Sequence, residues 1–224
     1  MIQLTPAESR VVGVLIEKAL TTPDQYPLSL NALVAGCNQK NNRDPVLTMS
    51  EDEAYDALES LRGKQLVVRV DVANSRVHRY KQMVGETLRA RMAEVAILAE
   101  LLVRGPQTLG ELRGRASRMH PLESLDVVKD MVRALMERPE PFVKELPPAP
   151  GSRAERYMQL LCPDLHPIDA PAAATPSAAS STTSQPREDA SAALADRVTR
   201  LEGEVASLRQ LVTRLATALG EPTE

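Results

Sequence analysis

The stretch Val11-Val12-Gly13-Val14-Leu15-Ile16-Glu17 decides the fold, because the chain states it twice. Its echo is Val95-Ala96-Ile97-Leu98-Ala99-Glu100, and a second pair follows in the same order: Pro27-Leu28-Ser29-Leu30-Asn31-Ala32-Leu33 answers to Pro106-Gln107-Thr108-Leu109-Gly110-Glu111-Leu112. A repeat of this kind makes each copy one small structural unit. Each copy then continues with a third helical stretch, 50–64 and 124–137, and with two β-prone segments around a turn. Those segments are 66–70 and 77–81 in the first copy, flanking Ala73-Asn74-Ser75, and 142–146 and 156–160 in the second, flanking a wide loop at 147–152. Three helices and a two-stranded hairpin make a winged helix. The expected fold is therefore mainly α with small β-hairpins (α+β), as tandem winged-helix domains at 1–83 and 84–162.

Helix starts support this order of elements. Thr5-Pro6-Ala7-Glu8, Ser50-Glu51-Asp52-Glu53 and Thr108-Leu109-Gly110-Glu111 have the capping-box spacing, in which the cap hydroxyl and the acidic side chain three residues on each satisfy an orphan backbone N–H. Pro6 sits at the first helical position, where its missing N–H costs nothing. Ser29 and Ser124 are expected to cap two more helices. Tryptophan is absent and Phe142 is the single phenylalanine, so the core has to be aliphatic.

Beyond residue 162 the composition turns to Ala, Pro, Ser and Thr. Such a segment cannot offset its ordering entropy by burial, and 163–189 is expected to be a disordered linker with ends on the order of 30 Å apart. At 190–220 a heptad repeat appears, with Val198, Val205, Val212 and Leu219 at one core position and Leu194, Leu201, Leu208 and Leu215 at the other. Valine at a with leucine at d favours a parallel two-stranded coil. Arg197 against Glu202 and Glu204 against Arg209 are attractive across such a pair. The expected assembly is a homodimer joined by this C-terminal coiled-coil helix; the alternative is an amphipathic helix folded back on its own globular part.

Several function classes find no support. The net charge of -3 argues against coating nucleic acid by bulk electrostatics, leaving only local patches. No uncharged run approaches membrane-spanning length, and Met1 to Arg10 lacks the features of a secretion signal, so a cytoplasmic protein without a membrane partner is expected. Cys37 and Cys162 are the only cysteines, and Cys37 follows Leu30, Leu33 and Val34 at helical spacing, as a core residue would. His78, His120 and His166 stand apart, without zinc-ligand spacing. With no glycine-rich phosphate loop either, neither a cofactor nor an enzymatic activity is expected.

Binding residues are legible only as patches. The polar run Asn38-Gln39-Lys40-Asn41-Asn42-Arg43-Asp44-Pro45 joins the second and third helices. Its amides suit base edges or a partner's backbone and Arg43 suits phosphate or carboxylate, whereas the same residue types also make local turns. Basic residues gather at the first hairpin (Arg69, Arg76, His78, Arg79, Lys81) and in the second copy (Arg113, Arg115, Arg118), with Arg89, Arg91 and Arg104 as candidates to join them. The third helix of the first copy carries Glu51, Asp52, Glu53, Asp56 and Glu59, which phosphates would repel. Two readings follow: a regulator that binds DNA through the basic hairpin and the polar loop, or an adaptor that grips another protein.

The strings Leu15-Ile16-Glu17-Lys18, Thr21-Thr22-Pro23-Asp24-Gln25-Tyr26-Pro27-Leu28-Ser29, Cys37-Asn38-Gln39-Lys40, Asn42-Arg43-Asp44-Pro45-Val46 and Arg156-Tyr157-Met158, with the segment 102–119, resemble the YceH family of uncharacterised bacterial proteins. The resemblance covers nearly all of 4–161 and extends to a C-terminal coil. It implies tandem winged helices in a bacterial cytoplasmic protein and brings no catalytic residue with it.

Overall fold

Thr5 opens the first helix by accepting a hydrogen bond from Glu8 N at 3.2 Å, while the Glu8 carboxylate accepts one from Thr5 N at 2.7 Å. The capping boxes at Ser50 and Thr108 form in the same way, and Ser29 and Ser124 cap as expected. The computed structural model describes residues 2–71 and 77–166; the coil at 190–220, the linker beyond residue 166 and Arg76 lie outside the described residues.

The first copy comprises α1 (Pro6–Thr21), β1 (Leu28–Ser29), α2 (Leu30–Cys37), α3 (Glu51–Gly63), β2 (Val67–Val70) and β3 (Arg79–Gln82). A short helix α4 (Val84–Thr87) leads into the second: α5 (Met92–Arg104), α6 (Leu109–Ala116), α7 (Leu125–Met136), β4 (Val143–Leu146) and β5 (Arg156–Gln159). The fold is thus mixed α/β, with seven helices and two small antiparallel sheets among the described residues.

The first sheet has one strand more than expected. Its order is β1-β3-β2, with Leu28 opposite Tyr80 and Ser29 opposite Arg79. Two residues are too few to show a strand period, so β1 reads in the sequence as part of the approach to α2. The second sheet is β4-β5 alone, but Gln107 bridges Tyr157 from the place that β1 occupies in the first copy. The folded body also runs past residue 162, through a 3-10 turn at Pro163–Leu165 to a buried His166.

The two copies meet through α1 and α5, the most extensively packed pair of elements. Both helices are buried all round over 8–17 and 94–103, and Val11, Val14, Leu15, Ile16, Ile97, Leu98 and Leu101 have no exposed surface. Such helices are stable only when enclosed. Gly13 sets how closely they approach: a Cβ there would lie 2.8 Å from Val103 Cγ1 and 3.2 Å from Leu102 Cβ. Val95, Leu98, Leu102 and the first copy's Leu4, Val12 and Leu66 join one continuous core.

Gly13→Val is expected to destabilise the protein by about 1–3 kcal/mol through overpacking. The check is a lower midpoint in urea at unchanged slope. Gly63→Ala, where a Cβ meets nothing within 4 Å, should leave the midpoint unchanged or raised.

Candidate functional site

The exposed face of α3 follows from its capping. Ala54, Ala57, Leu58 and Leu61 turn into the core, which leaves Glu51, Asp52, Tyr55 and Asp56 outside, with Tyr55 45 % exposed. The first-turn acids suit the positive end of the helix dipole. At the far end of α3, Arg62 grips both oxygens of Glu59 at 2.6 Å. Between α3 and β2 lies an open cleft of about 480 Å³ lined by Glu59, Arg62, Val67, Val68 and Arg69. Val68 and Val77 add exposed apolar surface on the hairpin. The exposed side of α3 and the adjoining cleft thus offer an aromatic ring, Val68 and a row of carboxylates.

The basic residues of the first hairpin are less free than their number suggests. Arg79 is half-buried and donates to Pro27 O at 2.8 Å. Arg69 is exposed, with Nε 3.6 Å from Asp71, which also meets His78 Nδ1 at 2.8 Å. Lys81 is exposed. Arg76 lies outside the described residues, and so do the coil residues Leu194, Val198, Leu201, Val205, Leu208, Val212, Leu215 and Leu219.

The polar loop is largely structural. Asn38 pairs with one backbone unit in both directions, accepting from Met49 N at 2.7 Å and donating to Met49 O at 2.8 Å. Arg43, suited by type to a phosphate or a carboxylate, turns inward and takes a carboxylate of its own chain. Its side chain is fully buried, donates to Gly36 O and Gln39 Oε1, and lies 2.7 Å from Glu17. The physical reason is Glu17, a carboxylate buried in α1 that needs a cation. Lys40, Asn41, Asn42 and Asp44 remain exposed, with Asn42 in the left-handed region at φ 64°.

A connection that the sequence does not show brings this loop beside the second copy's arginines. Arg118 spans Glu17 (3.1 Å) and Glu100 (2.8 Å), the corresponding glutamates of the two repeats, and Arg104 takes the other oxygen of Glu100 at 3.0 Å. Arg115 donates to Gln107 Oε1 and lies 3.3 Å from Glu111. Arg113 points away, to the carbonyls of Leu122 and Glu123. Gln39, Arg43, Arg104, Arg115 and Arg118 thus share one region, apart from Arg69 and Arg79. The repeat extends to another ion pair: Glu8 of α1 meets Lys64 after α3 at 2.6 Å, and Glu94 of α5 meets Arg138 after α7 at 3.0 Å.

Two residues that the sequence reading passed over fasten the loop. Arg10, wholly buried in α1, donates to Pro45 O at 2.6 Å, and burial with Arg43 beside it pulls its guanidinium down to about 10. His166 places Nε2 2.6 Å from Asp44 O, and its ring lies over Gly105, where a Cβ would come within 2.5 Å of it. Gly105 also needs its freedom, at φ 75°. The one signal for Arg10 was a cation directly before the apolar run 11–16 of α1. Cys37 is buried and burial pushes its thiol up to about 12, which suits a core residue rather than a nucleophile. Among the described residues there is no group of three metal-ligating side chains, and no helix is long and apolar enough to cross a membrane.

A family model described as a protein of unknown function, DUF480, matches residues 4–166. The chain belongs to the DUF480 family. A UPF0502 protein of Leptothrix cholodnii is 43 % identical over 217 residues, covering 97 % of this chain and 96 % of its own. One of Geobacter sulfurreducens is 50 % identical over 166 residues, 73 % of this chain and 75 % of its own, and one of Shewanella oneidensis is 43 % identical over 224, covering 97 % and 99 %. The resemblance carried by the motifs of the repeat thus holds, and DUF480 is an uncharacterised bacterial family.

His166 gives this site a pH signature. Burial holds the imidazole below its ordinary 6.5, helped by Arg10 and opposed by the Asp44 carbonyl and carboxylate. The unfolded chain therefore takes up its proton first, so the stability this residue confers is complete above about pH 6.5 and is lost as the pH falls through the folded value. Urea midpoints at about pH 7.5 and about pH 5.5 should differ more for the natural chain than for His166→Gln.

Proposed function

We propose that this DUF480 chain is a cytoplasmic, non-enzymatic adaptor whose tandem winged-helix domains, 1–83 and 84–162, take a basic segment of a partner protein on the exposed face of α3. One observation carries the proposal: Glu51, Asp52 and Asp56 stand exposed around Tyr55 on the helix that a DNA-reading winged helix would insert into the major groove. Phosphates repel such a face, whereas lysines and arginines with apolar neighbours complement it. Of the arginines expected to track phosphates, Arg79 and Arg113 are engaged by carbonyls of their own chain and Arg43 by a buried carboxylate. Two chains joined through the 190–220 coil would present two such faces, and the second contact would gain from effective concentration.

DNA binding is the second reading, favoured by the repeated helix-and-hairpin order and by Lys40, Lys81 and Arg69 at the surface. A photo-crosslinking residue in place of Tyr55 separates the two. The adaptor reading expects one discrete protein adduct in cells, lost when Asp52→Lys and Asp56→Lys are added. Purified full-length protein that enriches particular genomic fragments near physiological salt, unaffected by those charge reversals, would overturn it.

Assembly has its own test. Leu201→Lys with Leu208→Lys places charges in the seam of the coil, and light scattering should then report a monomer. A persisting dimer would mean that the folded body itself pairs.

A further inference from the structure

Where α5 ends and α6 passes it, three arginines are gathered in a way that stability alone does not require. Arg104 and Arg118 are held by the two oxygens of one buried carboxylate, Glu100, while Arg115 is fixed by Gln107, whose own amide donates to Glu100 O and Gly105 O. Like charges here oppose one another: after burial and against the help of Glu100, Arg118 and Arg115 lower the Arg104 guanidinium. The charges of the network do not close. Arg43, Arg104, Arg115 and Arg118 face Glu17, Glu100 and Glu111, leaving one positive charge in excess.

The excess lies on the solvent side. Glu17 and Glu100 are 4 % and 0 % exposed, whereas the side chains of Arg104, Arg115 and Arg118 are 16 %, 30 % and 33 % exposed. Donors remain there as well: Arg104 Nε meets Glu100 as an ion pair without a hydrogen bond and Arg118 spends Nε and Nη2, so among the described residues both Nη atoms of Arg104 and Nη1 of Arg118 meet no acceptor. A guanidinium fork matches a phosphate group, and arginines already immobilised lose little rotamer freedom on binding it.

We propose that Arg104, Arg115 and Arg118 form a site for the phosphate group of a small molecule, with buried Glu100 and Glu17 anchoring Arg104 and Arg118 and buried Gln107 fixing Arg115. The site is separate from the α3 face and does not depend on the adaptor reading. Arg118 and Arg115 are both close enough to Arg104 to act on its guanidinium, a local cluster that suits a single phosphate group, whereas a nucleic-acid backbone calls for a track.

The test is calorimetric titration of the full-length protein with inorganic phosphate and with glycerol phosphate, ionic strength held constant with chloride. Saturable binding is expected at one site per chain, weakened at least tenfold by Arg115→Gln, which keeps an amide for Gln107, and by Arg104→Lys, which keeps the charge and loses the fork. Preference for inorganic phosphate would identify the free anion as the ligand, and preference for the ester an organic phosphate; both support the site. Heats equal to those of a chloride control, or equal affinity in natural chain and variants with unchanged melting curves, would overturn it. Retention of duplex DNA lost in the same variants would overturn the small-molecule assignment.

Discussion

The contact between α1 and α5 is the constraint from which the rest follows. Each helix is too apolar to stand at a surface, and Gly13 lets them approach closely enough to cover one another. That closeness takes Glu17 and Glu100, one from each repeat, out of water. A buried carboxylate without a cation costs several kcal/mol, so the positions of Arg43, Arg104 and Arg118 answer to this pair. Arg43 is drawn in from one loop and Arg118 from the corresponding loop of the second copy, and Arg118 bridges both glutamates. Apolar packing sets the distance between the copies, and the ion pairs then fix their register.

Charge therefore means different things at the two faces. On α3 the carboxylates are solvated and free to meet a partner, whereas at the junction they are internal and their cations look outward. A count of basic residues along the chain ranks the first hairpin and the α6 region alike. What separates them is the depth of the nearest carboxylate: exposed Asp71 leaves Arg69 loosely held, while buried Glu100 fixes Arg104 and Arg118.

Much of the fold was legible because its signals are local. Capping boxes act over three residues, and helix and strand periods over ten or so, and all three capping boxes form where the sequence places them. β1 escaped because two residues carry no period, and the bridge from Gln107 escaped for the same reason. The fate of Arg43 is a long-range matter, since its partner is a turn of helix near the start of the chain, and nothing about an Asn-rich loop announces that its one arginine points inward. The matching glutamates of the repeat were visible as letters. That they share a single arginine depends on how the copies face each other, which pattern alone does not specify.

The hydrogen bond from Leu4 N to Leu161 O, at 2.7 Å, joins the two ends of the folded body. A ribosome releases the chain from its N-terminus at about 5–20 residues per second. The first copy, which ends at Gln82, is therefore complete for about a second before α5 begins to emerge at Met92, with the close-packing side of α1 still wet and Glu17 met only by Arg43. During that interval the face around Gly13 is an apolar surface open to any other helix, including another nascent copy of the same chain.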